Sequence, residues 1–372
     1  MGTEGKDLGA RQSQYDPQFA RASRYPVKAI EAKNDHTEEI SMKPQCRKLS
    51  IAALCLTIAI CVATANAVTN ELVSSSESHS IEKFDATGKW SKTFASTGPW
   101  IAVGIASNPL TGDVYAATLT STILRYKSTG ALFGPLGHYW HTFDLSASFG
   151  VNPVESLLFD SSGNLYVASH YGTGGYQVII LKFAAGSLSS MNPAPAGIPI
   201  VTTVGRGDQM AFDVFGNICI ASFIAPNTVQ CYNPGTGVLT YDYAAEFAGA
   251  VPAIQPVGLA FGPNNNLYVS SVFAGQVLKE TTEHVGPMVA IAGGLVSDID
   301  YIATDNSGAL YVPSYHNAEA RYGGSNYCTF YACNDYDFNP DVIYKVDPNS
   351  GTVTNFITTH MWGPYQMIFV PF

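Results

Sequence analysis

One phrase occurs four times in this chain, and it constrains the fold more than any other feature of the sequence. The copies read FDSSGNLYVAS (159–169), FDVFGNICIAS (212–222), FGPNNNLYVSS (261–271) and TDNSGALYVPS (304–314). Each copy joins the end of an apolar stretch, through a turn rich in Gly, Asn or Asp, to a second apolar stretch with the residue preferences of a β-strand. The phrase therefore predicts a repeated antiparallel strand pair.

The spacing of the phrase predicts the kind of repeat. Equivalent residues are Val114, Leu165, Ile218, Leu267 and Leu310, and successive copies are 51, 53, 49 and 43 residues apart. Strand-rich repeats of about 40 to 50 residues are typical of β-propeller blades, each of which is a four-stranded sheet.

The two ends of the repeat region complete the count of blades. Residues 71–90 contain a second, third and fourth strand without a first, and residues 364–372 contain a first strand alone. Together they make a sixth blade, which leaves no exposed edge between the first and last blades. We predict an all-β fold for residues 68–372: a six-bladed β-propeller whose ring is closed by one C-terminal strand plus three N-terminal strands.

The residues before the propeller have a different composition. Residues 1–41 are polar without an apolar period, which predicts a disordered leader. Residues 42–67 combine a basic stretch, the apolar run 49–63 and an Ala-x-Ala exit, the pattern of a secretory signal peptide cleaved after Ala67. We expect a secreted, extracellular protein. The alternative is a signal-anchored membrane protein, in which residues 49–63 remain as an anchor.

The charge balance excludes one class of partner. Residues 1–67 carry 9 of the 19 Lys and Arg residues and 7 of the 29 Asp and Glu residues, which leaves 10 and 22 and a formal net charge of −12. Nucleic-acid binding requires basic stripes, so no nucleic-acid partner is expected. A small-molecule ligand or an extracellular partner is the expectation.

Four cysteines follow the signal segment, and an even number in an exported chain predicts disulfides. The blade register places Cys219 on a second strand and Cys231 on the adjacent third strand, as cross-strand neighbours. Cys328 and Cys333 would close a small loop within an aromatic insertion at residues 315–340. We predict the pairs Cys219–Cys231 and Cys328–Cys333.

The stretches PVGLAFGPNNNLYVSS (256–271) and GQVLKE (275–280) resemble the NHL-repeat and gluconolactonase (senescence-marker) superfamily of six-bladed propellers. The resemblance covers residues 71–372 and identifies blades, not chemistry, because enzymes and non-catalytic binding modules share this fold. It implies, for an enzyme, a metal-dependent lactonase or esterase-type hydrolase, or a lyase. Glu155, Asp208 and Asp300 fall at positions that match the lactonase metal ligands, whereas Val257 replaces a ligand.

In such a propeller the start of each inner strand lies at the mouth of the central channel. The register places six residues there: Val103, Glu155, Asp208, Val257, Asp300 and Tyr365. Converging carboxylates repel one another unless a cation or shared protons offset the charge, and hard oxygen ligands suit Ca²⁺ or Mg²⁺. We predict a Ca²⁺ or Mg²⁺ site at Glu155, Asp208 and Asp300. The alternative is that the carboxylates cap backbone amides or contact water.

Three histidines fall in or beside loops that face this mouth. His170 and His316 are the candidates for proton transfer, and solvated loop histidines are the alternative. His79, Tyr315, Trp362 and Tyr365 are the candidate ligand-binding residues. Two functions stay open: a cation-dependent enzyme acting on a small ligand at the mouth, and a non-catalytic propeller that binds a protein or glycan through the insertion 315–340.

Overall fold

The structure is a computed structural model, and every residue it describes lies in the second of two compact units, Thr64–Phe372. The described residues are 70–76, 78–120, 122–133, 140–141, 153–171, 177–189, 197–204, 207–222, 227–248, 255–271, 274–282, 284, 286–293, 295, 299–314 and 341–372.

The described chain forms twenty-four strands. The first three are β1 (Asn70–Ser75), β2 (Ser80–Phe84) and β3 (Trp90–Ser96). Blade 1 contains β4 (Ala102–Ser107), β5 (Val114–Thr118), β6 (Thr122–Tyr126) and β7 (Trp140–His141). Blade 2 contains β8 (Val154–Phe159), β9 (Leu165–Tyr171), β10 (Gln177–Phe183) and β11 (Ile198–Val204), with a short 3₁₀ helix at Ala185–Ser189. Blade 3 contains β12 (Gly207–Phe212), β13 (Ile218–Ser222), β14 (Thr228–Tyr232) and β15 (Leu239–Asp242), and helix α1 (Ala244–Phe247) follows it.

Two more blades follow before the chain returns to its first strands. Blade 4 contains β16 (Pro256–Phe261), β17 (Leu267–Ser271), β18 (Gln276–Glu280) and β19 (Met288–Ala292). Blade 5 contains β20 (Ala303–Thr304), β21 (Leu310–Ser314), β22 (Val342–Val346) and β23 (Val353–Ile357). Blade 6 combines β24 (Pro364–Val370) with β1, β2 and β3.

The six sheets form a closed ring, as the sequence predicted. Each sheet has four antiparallel strands in sequence order, except that β24 pairs with β1 to complete blade 6. The inner strands contact one another in the order β24, β4, β8, β12, β16, β20 and back to β24. All six inner strands end on one shared cavity, so they run in the same direction along the channel. We call the end where the inner strands begin the upper end.

The core is divided among the interfaces between blades. Among the described residues there are six buried apolar clusters, and each one joins two neighbouring blades. The alternating side chains of every strand thus bury one set against the preceding blade and one against the next. Because each blade is stabilised by both neighbours, the ring positions residues of different blades accurately at the channel.

The repeated phrase forms the turn between the first and second strand of a blade. In blade 2, Asp160 Oδ1 accepts hydrogen bonds from the backbone N–H groups of Ser162 and Asn164, and Gly163 adopts a left-handed φ of 78°. Such a turn uses an Asp side chain as a local acceptor and a Gly where φ is positive. In blade 4, Asn265 takes the left-handed position instead, with a φ of 58°.

A cross-strand pair links the second and third strands in five of the six blades. The Tyr of the repeated phrase lies opposite a cationic residue in four blades: Tyr115 and Arg125, Tyr166 and Lys182, Tyr268 and Lys279, and Tyr311 and Lys345. In blade 3 the same position holds Cys219 and Cys231, which form a disulfide as predicted.

In the described part of the chain, no helix is long and apolar enough to cross a membrane.

Candidate functional site

Two carboxylates and one histidine meet where the inner strands of blades 2 and 3 begin. Glu155 is the second residue of β8, and Asp208 is the second residue of β12. His170 lies on β9, whose Ser169 pairs with Val154 at the start of β8. All three residues are buried, with Glu155 6 %, His170 3 % and Asp208 8 % exposed. The register of the inner strands therefore brings the three side chains together at the upper end of the channel.

The imidazole of His170 lies between the two carboxylates. Its Nδ1 is 3.4 Å from Glu155 Oε1, and its Nε2 is 3.5 Å from Asp208 Oδ1. One potential ligand atom from each residue lies within 4.8 Å of the other two. His170 Nε2 is also 3.1 Å from the backbone oxygen of Gly207, which orients the ring. The cluster has the donor set of a metal centre, with two carboxylate oxygens and one imidazole nitrogen.

Tyr301 supports this cluster from the opposite side of the channel, and the sequence reasoning missed it. Its hydroxyl donates a hydrogen bond of 3.1 Å to the backbone oxygen of Glu155, and the residue is 2 % exposed. Burial raises the pKa of its hydroxyl well above the usual value, and the carboxylates of Glu155, Asp208 and Asp300 raise it further. Its place directly after Asp300 in the ring register was the signal that could have identified it.

Two glycines allow the backbones of neighbouring inner strands to approach closely. A Cβ atom at Gly104 would collide with the backbone oxygen of Glu155, and one at Gly258 would collide with that of Asp300. Ser270 donates a hydrogen bond of 2.5 Å to the same Asp300 oxygen. These contacts fix the backbone beneath two of the predicted metal ligands, because a larger residue would separate the blades.

Two glutamines link the inner strands below the cluster. Gln209 Oε1 accepts hydrogen bonds from the N–H groups of Leu259 and Ile302 at 2.9 and 2.8 Å, and its Nε2 donates to the Ile302 oxygen at 2.8 Å. Gln366 Oε1 accepts a hydrogen bond of 2.6 Å from the Ile105 N–H. Gln209 thereby joins blades 3, 4 and 5, and Gln366 joins the neighbouring blades 6 and 1.

The other predicted ring residues lie around the cluster. Asp300 is half-buried, and both Asp300 and Tyr365 contribute to the raised pKa of Tyr301, so both residues lie near Tyr301. Asp300 is not part of the three-residue group that can hold a metal. Val103 and Val257 are buried apolar residues of β4 and β16.

Two candidate ligand-binding residues lie in other loops of the described chain. His79 is half-buried, and its Nδ1 is 3.2 Å from the backbone oxygen of Trp100, in the contact between blades 6 and 1. Trp362 is 49 % exposed and lies two residues before β24, and the Ser75 hydroxyl accepts a hydrogen bond of 2.9 Å from its N–H. His316, Tyr315 and the predicted pair Cys328–Cys333 lie outside the described residues, as does the rest of the insertion 315–340.

A second group of potential ligands and two cavities lie away from the cluster. Asp213, Cys219 and Cys231 are close together, but the disulfide ties the two sulfurs to each other. A cavity of about 410 Å³ opens at the lower end of the channel, between the last residues of the inner strands. Another cavity of about 410 Å³ lies on blade 5 beside Lys345 and Asp347. Neither cavity is lined by Glu155, His170 or Asp208.

No protein-family model matches the sequence, and no curated protein matches it. Solved structures do match. A protein of unknown function from Bacteroides caccae is 14 % identical, with a TM-score of 0.52 over 82 % of this chain and 99 % of that chain. A nidogen–laminin complex is 12 % identical, with a TM-score of 0.58 over 81 % of this chain and 98 % of that chain. These similarities show a shared fold.

A gluconolactonase is also among the solved structures that match. The periplasmic gluconolactonase of Pseudomonas aeruginosa is 12 % identical, with a TM-score of 0.46 over 82 % of this chain and 99 % of that chain. The six-bladed propeller that the repeated blades predicted is confirmed by the six four-stranded sheets of the ring. The chemistry must be argued from the residues at the channel mouth.

Proposed function

We propose that this protein binds a divalent cation through Glu155, His170 and Asp208 and acts on a small ligand at the upper end of the channel as a hydrolase or lyase. The observation that supports the proposal is the convergence of these three buried side chains, whose potential ligand atoms lie within 4.8 Å of one another. Burying two carboxylates side by side is costly unless positive charge or protons offset them. A bound cation meets that requirement.

The three residues fit a catalytic metal site better than a structural one. Structural sites are closed by four protein ligands, whereas catalytic sites keep a position open for water or substrate. The described residues supply three ligands here. A cation in such a site polarises a carbonyl or lowers the pKa of a bound water.

The remaining residues of the mouth have separate tasks in this proposal. Asp300 is the least buried of the three carboxylates, so we assign it the transfer of a proton to or from the ligand. Tyr301 holds the backbone of Glu155 in place through its hydrogen bond. Trp362 and Tyr365 offer aromatic surface to the ligand, because Trp362 lies two residues before β24 and Tyr365 is the second residue of β24, at the upper end. His316 stays a second candidate for proton transfer.

Export belongs to the same proposal. The disulfide Cys219–Cys231 is fully buried between two strands, and disulfides persist in oxidising compartments. A hydrolase or lyase of this kind would therefore act outside the cytoplasm, as the signal-like residues 42–67 also predict.

The test is a screen of lactone and aryl-ester hydrolysis by the full chain, after chelation and after return of Ca²⁺, Mg²⁺, Mn²⁺ or Zn²⁺. We expect turnover that depends on the cation and that falls roughly 100-fold or more in Asp208→Asn, since a ligand is lost. Asp160→Asn is the matched control. It lies in blade 2 at the lower end of the channel, where the side-chain oxygen of Asn can still accept the two backbone hydrogen bonds of the turn.

Binding is measured in parallel with activity. A melting-temperature increase on cation addition is expected in the wild type and in Asp160→Asn, and not in Asp208→Asn. If no cation raises the melting temperature and neither substrate class is turned over, the cation site is overturned. The alternative of a non-catalytic propeller that uses residues 315–340 would then be favoured.

A further inference from the structure

We propose that the lower end of the channel is a second binding site, and that it takes an uncharged, largely apolar small molecule that carries a hydrogen-bond acceptor such as a carbonyl oxygen. The site is the cavity between the last residues of the inner strands. It is separate from the cluster of Glu155, His170 and Asp208, and the proposal does not depend on the function proposed for that cluster.

A layer of residues lies between the cluster and the lower cavity. It consists of the residue that follows the channel-mouth position in each blade: Gly104, Ser156, Gln209, Gly258, Tyr301 and Gln366. Gln209 and Gln366 line the lower cavity, whereas Tyr301 does not. The Tyr301 hydroxyl instead donates its hydrogen bond to the backbone oxygen of Glu155. A molecule in the lower cavity therefore contacts this layer and not the side chains of the cluster.

The walls of the lower cavity are uncharged. The described residues that line it lie at the ends of the inner strands, are mostly Ile, Leu, Met, Ala and Phe, and include no Asp, Glu, Lys, Arg or His. Half-buried phenylalanines from four blades are among them: Phe159, Phe212, Phe261 and Phe369. The volume of about 410 Å³ is typical of a small-molecule site, and an unpaired charge would be costly to bury there. The walls therefore favour an uncharged molecule with an apolar body.

The charges that directly follow the inner strands are negative. The first residue after the strand is Asp160 in blade 2, Asp213 in blade 3 and Asp305 in blade 5. Each carboxylate accepts a backbone hydrogen bond within its own turn. The corresponding residues of the other blades are uncharged: Asn108, Gly262 and Pro371. Negative charge around the opening repels anions, so an uncharged molecule is favoured over an anionic one of the same shape.

Gln366 supplies the polar contact that the ligand must match. Its Oε1 accepts a hydrogen bond of 2.6 Å from the Ile105 N–H, which orients the amide and leaves Nε2 as a donor. No described residue accepts a hydrogen bond from that Nε2. Gln366 lines the cavity and is only 6 % exposed, so the donor is buried without a protein acceptor. Such a group is costly to leave unpaired, and an oxygen atom of a ligand would remove that cost.

Gln209, at the equivalent position of blade 3, differs in this respect. Its Oε1 accepts hydrogen bonds from the N–H groups of Leu259 and Ile302, and its Nε2 donates to the Ile302 oxygen. Both ends of the Gln209 amide are therefore held by the protein, whereas only one end of the Gln366 amide is. The acceptor of the ligand is expected on the blade 6 side of the cavity.

The first experiment titrates the full chain with prodan, an uncharged naphthalene dye that carries a carbonyl group and whose emission moves to shorter wavelength in an apolar site. We expect saturable binding that is unchanged by chelation of divalent cations, because the cluster at the upper end takes no part. The anionic dye anilinonaphthalene sulfonate should bind at least about 10-fold more weakly. Binding of the anion as tightly as prodan, or prodan binding that requires a cation, would overturn the proposal.

Methionine methyl groups locate the dye without any substitution. Met210 and Met367 line the lower cavity, whereas Met288 is a similarly buried residue of the contact between blades 3 and 4. In NMR spectra of the full chain with labelled methionine methyls, the naphthalene ring of bound prodan should shift the signals of Met210 and Met367 and leave that of Met288 in place. Bound dye without shifts at Met210 and Met367 would show that it lies elsewhere, which contradicts the proposal.

The contact with Gln366 is tested from both sides. A prodan analogue with a methylene in place of the carbonyl should bind the wild type about 10-fold more weakly, because the Nε2 donor is left unpaired. Gln366→Glu keeps an oxygen for the Ile105 N–H but removes the donor, so it should lose about 10-fold in prodan affinity and much less in affinity for the analogue. Gln276→Glu, on β18 and outside the cavity lining, is the matched control and should bind prodan as the wild type does.

The comparison of the two dyes in the wild type does not depend on how well Gln366→Glu folds. Equal affinity for prodan and its analogue would mean that no acceptor is recognised, and the assigned ligand class would be wrong. If neither uncharged dye binds the full chain, the lower site fails, while the function proposed for the upper end is untouched.

Discussion

Blade 3 and the four blades with a Tyr at the equivalent position link their second and third strands by different interactions. In blades 1, 2, 4 and 5 a Tyr of the second strand faces a cation of the third, at 5.0 to 5.7 Å from the ring centroid. In blade 3, Cys219 and Cys231 occupy that register position and form a covalent bond. The comparison shows that the side chains at this position link the second strand to the third in each of these five blades.

The cation–aromatic pair and the disulfide differ in their dependence on redox conditions. A cation over an aromatic ring contributes about 0.5 to 1 kcal/mol at an exposed site and does not depend on redox conditions. A disulfide contributes more, but only where it stays oxidised. The stability of blade 3 is therefore tied to the compartment in which the protein folds, whereas that of the other blades is not.

The largest expected effect tests the most buried of the cationic pairs. Arg125 donates two hydrogen bonds to Asp113 Oδ2, at 3.0 and 2.5 Å, and both residues are buried. We expect Arg125→Met to destabilise the protein by about 3 to 5 kcal/mol, because Asp113 is left as an uncompensated buried charge. Chemical denaturation measures the change.

The control for that variant occupies the same position in blade 2. Lys182 lies 5.3 Å from the Tyr166 ring centroid and is only half-buried. Lys182→Met should cost about 1 kcal/mol or less. Equal effects in the two variants would show that burial of Asp113 does not distinguish blade 1.

The next effect concerns the disulfide. Replacement of both Cys219 and Cys231 by Ala should lower the free energy of unfolding by about 3 kcal/mol, from the lost cross-link and the cavity left behind. Denaturation with and without reductant should give the same value for the variant and different values for the wild type.

A second double variant tests whether the position in blade 3 is equivalent to that in the other blades. The double substitution Cys219→Tyr and Cys231→Lys places the pair of the other blades in blade 3, and it should recover about 0.5 to 1 kcal/mol relative to the double Ala variant. No recovery at all would mean that the register position is not equivalent among the blades.

A further effect concerns blade 6, which has neither arrangement. Leu72 faces Lys83 there, and Lys83 binds the backbone oxygen of Phe372. The adjacent Glu71 is 2 % exposed, and its Oε2 accepts no hydrogen bond from the described residues. Burial, chiefly, raises the pKa of Glu71 from 4.5 to about 8, with a further increase from Asp85.

The sign of the resulting pH dependence follows from that shift. Below pH 4.5 Glu71 is protonated in both the folded and the unfolded chain, and between pH 4.5 and about 8 it ionises mainly in the unfolded chain. The wild type should therefore lose stability as the pH rises through this window, and Glu71→Gln should not share that loss. We expect the variant to gain about 2 kcal/mol over the wild type between pH 5 and pH 8. Parallel stability curves for the two proteins would contradict the prediction.

Most of the fold could be predicted from the sequence because the blade is a repeated local pattern. A strand has a period of two and the turn residues have fixed roles, so aligning the copies gave the strand register, the place of Glu155 and Asp208, and the Cys219–Cys231 disulfide. The closure of blade 6 followed from the incomplete blades at residues 71–90 and 364–372.

The contacts across the channel could not be predicted in that way. Tyr301 reaches the Glu155 backbone from blade 5, and Gln209 joins three blades, although neither residue stands out in its own copy of the repeat. The sequence placed His170 in or beside a loop, and it is the penultimate residue of β9, but its burial between two carboxylates was not predicted. Such contacts depend on the assembled ring. The roles of His316, Tyr315 and Cys328–Cys333 stay predictions.

The pairing of β24 with β1 has a consequence for how the chain is made. Asn70 aligns with Val370, so one seam joins strands from opposite ends of the described chain. Until the final strand has been synthesised, the earlier blades can stack only as an open arc whose terminal sheets lack their neighbours. A nascent chain would thus remain an open arc until β24 has been made and can pair with β1.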